Sequence, residues 1–129
     1  MRNFIRGRAN SFRPAFDGWR HVLRTQPNTW VHAIISIAVV LVSFWLSLDL
    51  MSWAFILLAM ALVWITEFAN TAIEAVVDLA SPDHHPLAKI AKDVSAAAVV
   101  IAAFTAVIIG ILVLALPLWE KLNLLLSPK

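Results

Sequence analysis

The sequence predicts an all-α membrane protein: three transmembrane helices preceded by an amphipathic surface helix. Three observations carry this. Of the 129 residues, 61% are hydrophobic and only 14% charged, with a mean hydropathy of +0.84, more apolar surface than so short a chain can bury in a core of its own. Three apolar runs, at residues 31–48, 53–77 and 94–118, are each long enough to cross about 30 Å of hydrocarbon. Six of the ten basic residues (Arg2, Arg6, Arg8, Arg13, Arg20 and Arg24) precede the first run, the bias that orients membrane proteins. The length fits a single membrane domain over residues 1–129. Cysteine is absent, which excludes a disulfide framework and a thiolate metal site or nucleophile.

The first element is a surface helix over residues 11–25. Phe12, Ala15, Phe16, Trp19, Val22 and Leu23 recur at helical spacing, with Arg13, Asp17, Arg20 and Arg24 on the other faces. That pattern suits a helix lying in the membrane interface. A basic arm can also mark nucleic acid, but beside a membrane segment it contacts anionic lipid, so no nucleic-acid partner is expected. The N-terminus lacks the short apolar core and small-residue cleavage site of a signal peptide. Gln26-Pro27 turns the chain into the first span. The segment 47–52 joins spans one and two as a tight hairpin. The loop 79–86 joins spans two and three, with Pro86 suited to the first turn of the third helix. Pro117 and Glu120 stop that last run.

The arginine-rich N-terminus and the Lys89/Lys92 region are separated by two spans and so share a side, which the positive-inside rule makes cytoplasmic. The hairpin at Asp49 and the C-terminus then lie outside. Trp30 falls at the inner boundary and Trp45, Trp53 and Trp119 near the outer one, as in an aromatic belt. Trp64 falls at neither and reads as a packing residue.

The second span carries the chemistry. It ends Glu67-Phe-Ala-Asn70-Thr-Ala-Ile-Glu74-Ala-Val-Val-Asp78. At 100° per residue, Glu67, Asn70, Glu74 and Asp78 share a wedge of about 80° on one helix face. A carboxylate at the bilayer centre costs about 2.5–3.5 kcal/mol, so the stripe must face protein or water. It runs from inside the membrane up to the cytoplasmic side, a placement suited to a reaction between a lipid headgroup and a water-soluble partner. Lys92-Asp93 in helix three lies at the same level and is expected opposite Glu74–Asp78. Carboxylates for Mg²⁺, a lysine for phosphate and a deep glutamate as base are the parts of phosphoryl transfer. No Walker or soluble-kinase signature is present, and three glycines make no Gly-rich cradle.

The stripe, followed by His85-x-x-x-x-x-Ala91-Lys92-Asp93-x-x-Ala96-Ala-Ala98-Val, resembles the small integral-membrane prokaryotic diacylglycerol kinases. Asn28-x-x-x-His32 resembles the undecaprenol kinases of that family. The resemblance covers residues 11–116. It implies a homotrimeric bundle in the bacterial cytoplasmic (inner) membrane, with active sites shared between neighbouring subunits. It implies Mg²⁺ and ATP as phosphoryl donor, and a membrane lipid alcohol, diacylglycerol or undecaprenol, as acceptor. By position, Glu67 matches the catalytic base at the lipid hydroxyl and Glu74 a metal ligand. Asp83, His84, His85, Lys92 and Asp93 match nucleotide-binding positions. Asn70 and Asp78 match supporting polar positions, Asn70 beside the lipid substrate. One departure stands out. Where the family has a second metal-binding glutamate, this chain has Gln26, which leaves the metal site one formal charge short. Weaker activity, or help from another carboxylate such as Asp17, would follow.

Each residue has a plainer reading. Glu67 could be an interhelical polar contact, Glu74 and Asp78 a solvated helix end, and Lys92 a snorkelling lysine. Asp93 could be its neighbour and nothing more, and His84 and His85 ordinary loop residues. His32 reads as a hydrogen-bonded residue at the entry of the first span. Ala96–Ala98, Ala102 and Ala103 read as small residues for close helix packing. Two other functions compete with a lipid kinase: a proton or ion pathway along the stripe, and a non-catalytic membrane adaptor.

Overall fold

Four helices follow one another: α1 (Arg2–Thr25), α2 (Pro27–Leu46), α3 (Leu50–Ala80) and α4 (Pro86–Leu126). The computed structural model of the chain describes residues 2–83 and 85–127, with side chains from residue 12 onward. Among these residues there is no strand, and α2, α3 and α4 are each long and apolar enough to cross a membrane. The expected fold class is therefore the observed one.

The punctuation of the helices is local chemistry. Gln26 is the N-cap residue of α2 in extended conformation, with Pro27 at the first helical position, where its missing N–H costs nothing. Pro86 plays the same part in α4, behind His85, whose Nδ1 accepts the Leu87 N–H at 3.2 Å. The hairpin between α2 and α3 is as tight as expected. Ser47 takes the left-handed conformation, with φ 56°, and Asp49 caps α3. One Asp49 oxygen accepts the N–H groups of Met51 at 2.8 Å and Ser52 at 3.1 Å, and the other accepts the Ser52 hydroxyl at 2.6 Å.

Two helices run further than the sequence pattern implied. The helix of α1 begins at Arg2 and passes through Pro14. In α4 Pro117 ends the apolar run but not the helix, which continues to Leu126. An interior proline removes one backbone hydrogen bond, and membrane helices tolerate this through local adjustment and neighbouring partners. The 41 residues of α4 therefore span about 61 Å, twice the hydrocarbon thickness. Its ends carry the charges: Lys89, Lys92 and Asp93 at one, Glu120 and Lys121 at the other.

The buried apolar core is small: Val22, Ile56, Ala59, Val63 and Ala102. Large apolar side chains such as Ile34, Leu41, Leu58, Ile101 and Leu112 face outward from all three long helices, as lipid-facing residues must. Of the small residues expected at helix contacts, Ala102 is buried, whereas Ala96, Ala97 and Ala98 are exposed in the single chain. Trp64 packs as expected. Its ring lies 4.9 Å from that of Trp19, its indole N–H donates to Ser36 Oγ at 3.2 Å, and Trp19 also meets Phe68 edge-on at 4.8 Å. The ring contacts fasten α1 to α3, and the bond to Ser36 ties α3 to α2. At the opposite end, Phe44 packs on Trp53 and the Lys121 ammonium lies over the Trp45 ring. Between α2, α3 and α4 lies an apolar hollow of about 530 Å³, lined among others by Ile35, Val63, Ala106, Gly110 and Leu114, with His32 at its border.

Candidate active site

Antiparallel connection of α3 and α4 through a short loop brings the C-terminal turns of α3 against the N-terminal turns of α4. The N-terminus of α2 arrives at the same level. Polar groups from all three helices meet there, and most are buried: Thr29 is fully enclosed, Glu67 is 3% exposed, and Asn70, Thr71 and Ser95 are each 7% exposed.

A chain of hydrogen bonds links the three helices. Gln26 Nε2 of α2 donates to Glu74 Oε2 at 2.9 Å, and Asn70 Nδ2 donates to Glu74 Oε1 at 3.1 Å. Ser95 Oγ of α4 donates to Asn70 Oδ1 at 2.7 Å. The donor directions follow from chemistry. An ionised carboxylate only accepts, so both amides must turn their NH₂ groups toward Glu74. Asn70 then presents oxygen to α4, where the Ser95 hydroxyl meets it. Gln26 keeps its Oε1 without a donor among the described residues.

Glu67 occupies a second niche, about two turns deeper along α3. Its Oε1 accepts the Thr29 hydroxyl at 3.4 Å, and its Oε2 lies 3.9 Å from His32 Nε2. Among the described residues the hydrogen bond expected of His32 is not found: the ring stands beside Glu67, but beyond hydrogen-bond reach. Thr71 turns its hydroxyl back to the Glu67 carbonyl at 3.0 Å, a local bond that keeps a buried hydroxyl satisfied.

Above both niches the loop opens into a cavity of about 640 Å³. Asp78, Ser81, Asp83, His85, Lys92 and Asp93 line it. Lys92 Nζ pairs with Asp78 across α3 and α4. Asp93, expected to face Glu74–Asp78, pairs instead with Lys89 one turn before it on its own helix. The reason is angular: Lys92 and Asp93 differ by about 100° around α4, so only one can point at α3. Asp83 and His85 lie where the loop meets this cavity, and His84 lies outside the described residues. Asp17 is exposed on α1.

A family profile described as prokaryotic diacylglycerol kinase matches residues 13–114. The chain belongs to the prokaryotic diacylglycerol kinase family, a family of lipid kinases. Similar proteins agree. The chain is 44% identical to a diacylglycerol kinase of Synechocystis over 101 residues, which cover 78% of this chain and 58% of that protein. It is 39% identical to the undecaprenol kinase of Bacillus subtilis over 112 residues, 87% of this chain and 91% of that protein. It is 42% identical to the diacylglycerol kinase of Escherichia coli over 69 residues, 54% of this chain and 57% of that protein. The chain thus spans little more than half the length of the two diacylglycerol kinases, and nearly all of the undecaprenol kinase.

A kinase of this family implies ATP and, for its charge, a magnesium ion. The donor set fits such an ion. Mg²⁺ takes oxygen ligands, commonly one or two carboxylates together with substrate phosphates. Glu74 offers one carboxylate, and the Gln26 side chain, whose NH₂ group faces it, carries an amide oxygen on the same carbon. Among the described residues no group of three or more histidine, aspartate or glutamate side chains could hold a metal ion.

Three residues of the site escaped the sequence reading: Thr29, Thr71 and Ser95. Hydroxyls in apolar helices carry little signal on their own. The usable hint was spacing, since Thr29 precedes His32 by three residues and Ser95 follows Lys92 by three, each on the face of a residue already singled out.

Proposed function

We propose that this chain transfers the γ-phosphoryl group of Mg·ATP to the hydroxyl of a membrane lipid alcohol, diacylglycerol or undecaprenol. It would do so as a homotrimer in the bacterial cytoplasmic membrane, with its N-terminus on the cytoplasmic side. The observation that carries the reading is one pair of niches at one end of the bundle. Glu67, a carboxylate only 3% exposed, sits in a helix long and apolar enough to cross a membrane, and a polar cavity bordered by Lys92 lies toward the loop end of that helix. A lipid hydroxyl reaches the first from the bilayer, and a nucleotide reaches the second from water.

In this mechanism Glu67 accepts the proton of the lipid hydroxyl. The lipid oxygen bonds to the γ-phosphorus as the bond to the β-bridging oxygen breaks, and ADP leaves with that bond's electrons. Thr29 donates to the Glu67 carboxylate and helps to position it. Lys92, steadied by Asp78, balances phosphate charge. From Glu67 to Asp78 is about 16 Å along α3, with Glu74 between them. Glu74 and the Gln26 oxygen would hold Mg²⁺, which when bound neutralises charge on the phosphate oxygens.

The test is a panel of lipid acceptors with radiolabelled ATP and Mg²⁺, using the purified chain in detergent micelles. Labelled phosphatidate or undecaprenyl phosphate is the expected product. No labelled lipid from any alcohol in the panel would overturn the reading. Movement of protons across liposomes, dependent on Glu67 and independent of ATP, would replace it with an ion pathway.

A further inference from the structure

Glu74 has both oxygens engaged by amide N–H groups, one from Gln26 and one from Asn70. These two donors do not have equal freedom. Asn70 is held from behind by Ser95 Oγ, and a reversed Asn70 would set its oxygen against the carboxylate. Gln26 has no such restraint on its Oε1 among the described residues, and its residue is half-buried at the very start of α2. An amide that turns over about its last torsion exchanges nitrogen for oxygen in nearly the same place. A cation drawn to Glu74 repels an N–H and attracts an oxygen, so the same side chain serves either state of the site.

We propose that Gln26 is a reversible latch. Without a metal ion its Nε2 donates to Glu74 and ties α2 to α3; with one, the amide reverses and its Oε1 becomes a ligand. The latch makes the junction of α2, α3 and α4 independent of metal. A glutamate at position 26 would face Glu74 as a second negative charge at hydrogen-bond distance, in a partly desolvated setting where like charges repel strongly. Such a site assembles well only with the ion in place. Glutamine gives up cation affinity, since affinity follows ligand charge, and gains an assembled site at low metal. The ligand half of this inference rests on Glu74 as a cation site in the proposed kinase. The hydrogen-bonded half does not.

The experiment compares the full-length chain with Gln26→Glu and Gln26→Met in detergent micelles, by thermal unfolding in EDTA and in excess Mg²⁺ and by Mn²⁺ binding followed by electron paramagnetic resonance. The expected wild-type protein unfolds at nearly the same temperature in both buffers. Gln26→Glu unfolds about 3 °C or more lower in EDTA and recovers with Mg²⁺, and binds Mn²⁺ about tenfold more tightly. Gln26→Met, which has neither donor nor amide oxygen, is lowered in both buffers and binds Mn²⁺ several-fold more weakly. The proposal is overturned if Gln26→Glu is as stable as wild type in EDTA, or if Mg²⁺ stabilises the wild type as much as this variant. Should Gln26→Glu fail to fold, unchanged Mn²⁺ affinity in Gln26→Met overturns it alone. None of these readouts requires lipid phosphorylation. A chain that shows the latch and no kinase activity sinks the proposed function only, and an active kinase without the metal-dependent difference sinks the latch only.

Discussion

Ser95 Oγ on α4 donates to Asn70 Oδ1 on α3 at 2.7 Å, and the same oxygen lies 2.9 Å from the Lys92 carbonyl. One hydroxyl hydrogen serves one acceptor at a time, and Asn70 is the one with no alternative. Ser95→Ala leaves a buried amide oxygen without a donor. The expected loss is about 1 kcal/mol of stability in detergent, measured by denaturation, with Ser95→Thr retaining most of it. The variant also frees Asn70 to turn, so turnover should fall by more than the loss of folded protein explains.

Glu67→Gln keeps the shape of the side chain and removes its capacity to take a proton. Lipid phosphorylation should fall by about 10²–10⁴-fold, the usual contribution of a general base. Nucleotide binding, followed with a fluorescent ATP analogue, should be nearly unchanged because the loop cavity lies several turns away. A variant that binds nucleotide and turns over normally would remove Glu67 from the chemistry.

Lys92 and Asp78 form an ion pair at the mouth of the loop cavity, with both side chains at least a third exposed. Pairs in that setting stabilise by about 0–1 kcal/mol. Asp78→Asn should therefore leave thermal stability almost intact. Lys92→Met should raise the KM for ATP well above its effect on kcat, since the ammonium acts on the phosphates rather than on the fold. Steady-state kinetics at varied ATP separates the two.

At the other end of the bundle, the hydroxyl and N–H of Ser52, with the N–H of Met51, hold the Asp49 carboxyl below its ordinary value. A carboxyl lowered in the folded state stabilises it above the unfolded value, 3.8. That contribution disappears as pH falls through the still lower folded value. Wild-type protein should lose stability on acidification below about pH 4, by an amount that Asp49→Asn does not lose. Melting temperatures of the two proteins across this range give the comparison, and Asp49→Ala should be lower at every pH for want of a cap.

The architecture was readable because hydropathy and helix period report it directly. The Glu67–Asp78 stripe is the strongest case: its positions around α3 follow from 100° per residue. The same arithmetic says that Lys92 and Asp93 cannot both face α3, but not that Lys92 is the one that pairs with Asp78. The internal wiring was harder to read. That Gln26 touches Glu74 depends on where α2 starts relative to α3, a tertiary fact that periodicity does not contain. Thr29 and Ser95 were missed because a hydroxyl in an apolar helix satisfies itself on its own backbone as readily as on a neighbour, as Thr66 and Thr105 do here. Pro117 misled for a different reason. Proline ends helices in water, where a freed carbonyl finds a water molecule and the chain turns away. Here α4 loses one hydrogen bond and continues, as α1 does through Pro14.

Helix α2 is the shortest of the three spans, with 20 residues, about 30 Å end to end. That equals the hydrocarbon thickness of an average bilayer, whereas α3 and α4 overhang it. The longer helices take up a change of membrane thickness by tilting, but α2 has no spare length: a thinner membrane tilts it, and a thicker one has to thin around it. Its first residue is Pro27, and the residue just before it is the one bonded to Glu74. The end of the span with the least slack is thus the end that adjoins the candidate active site.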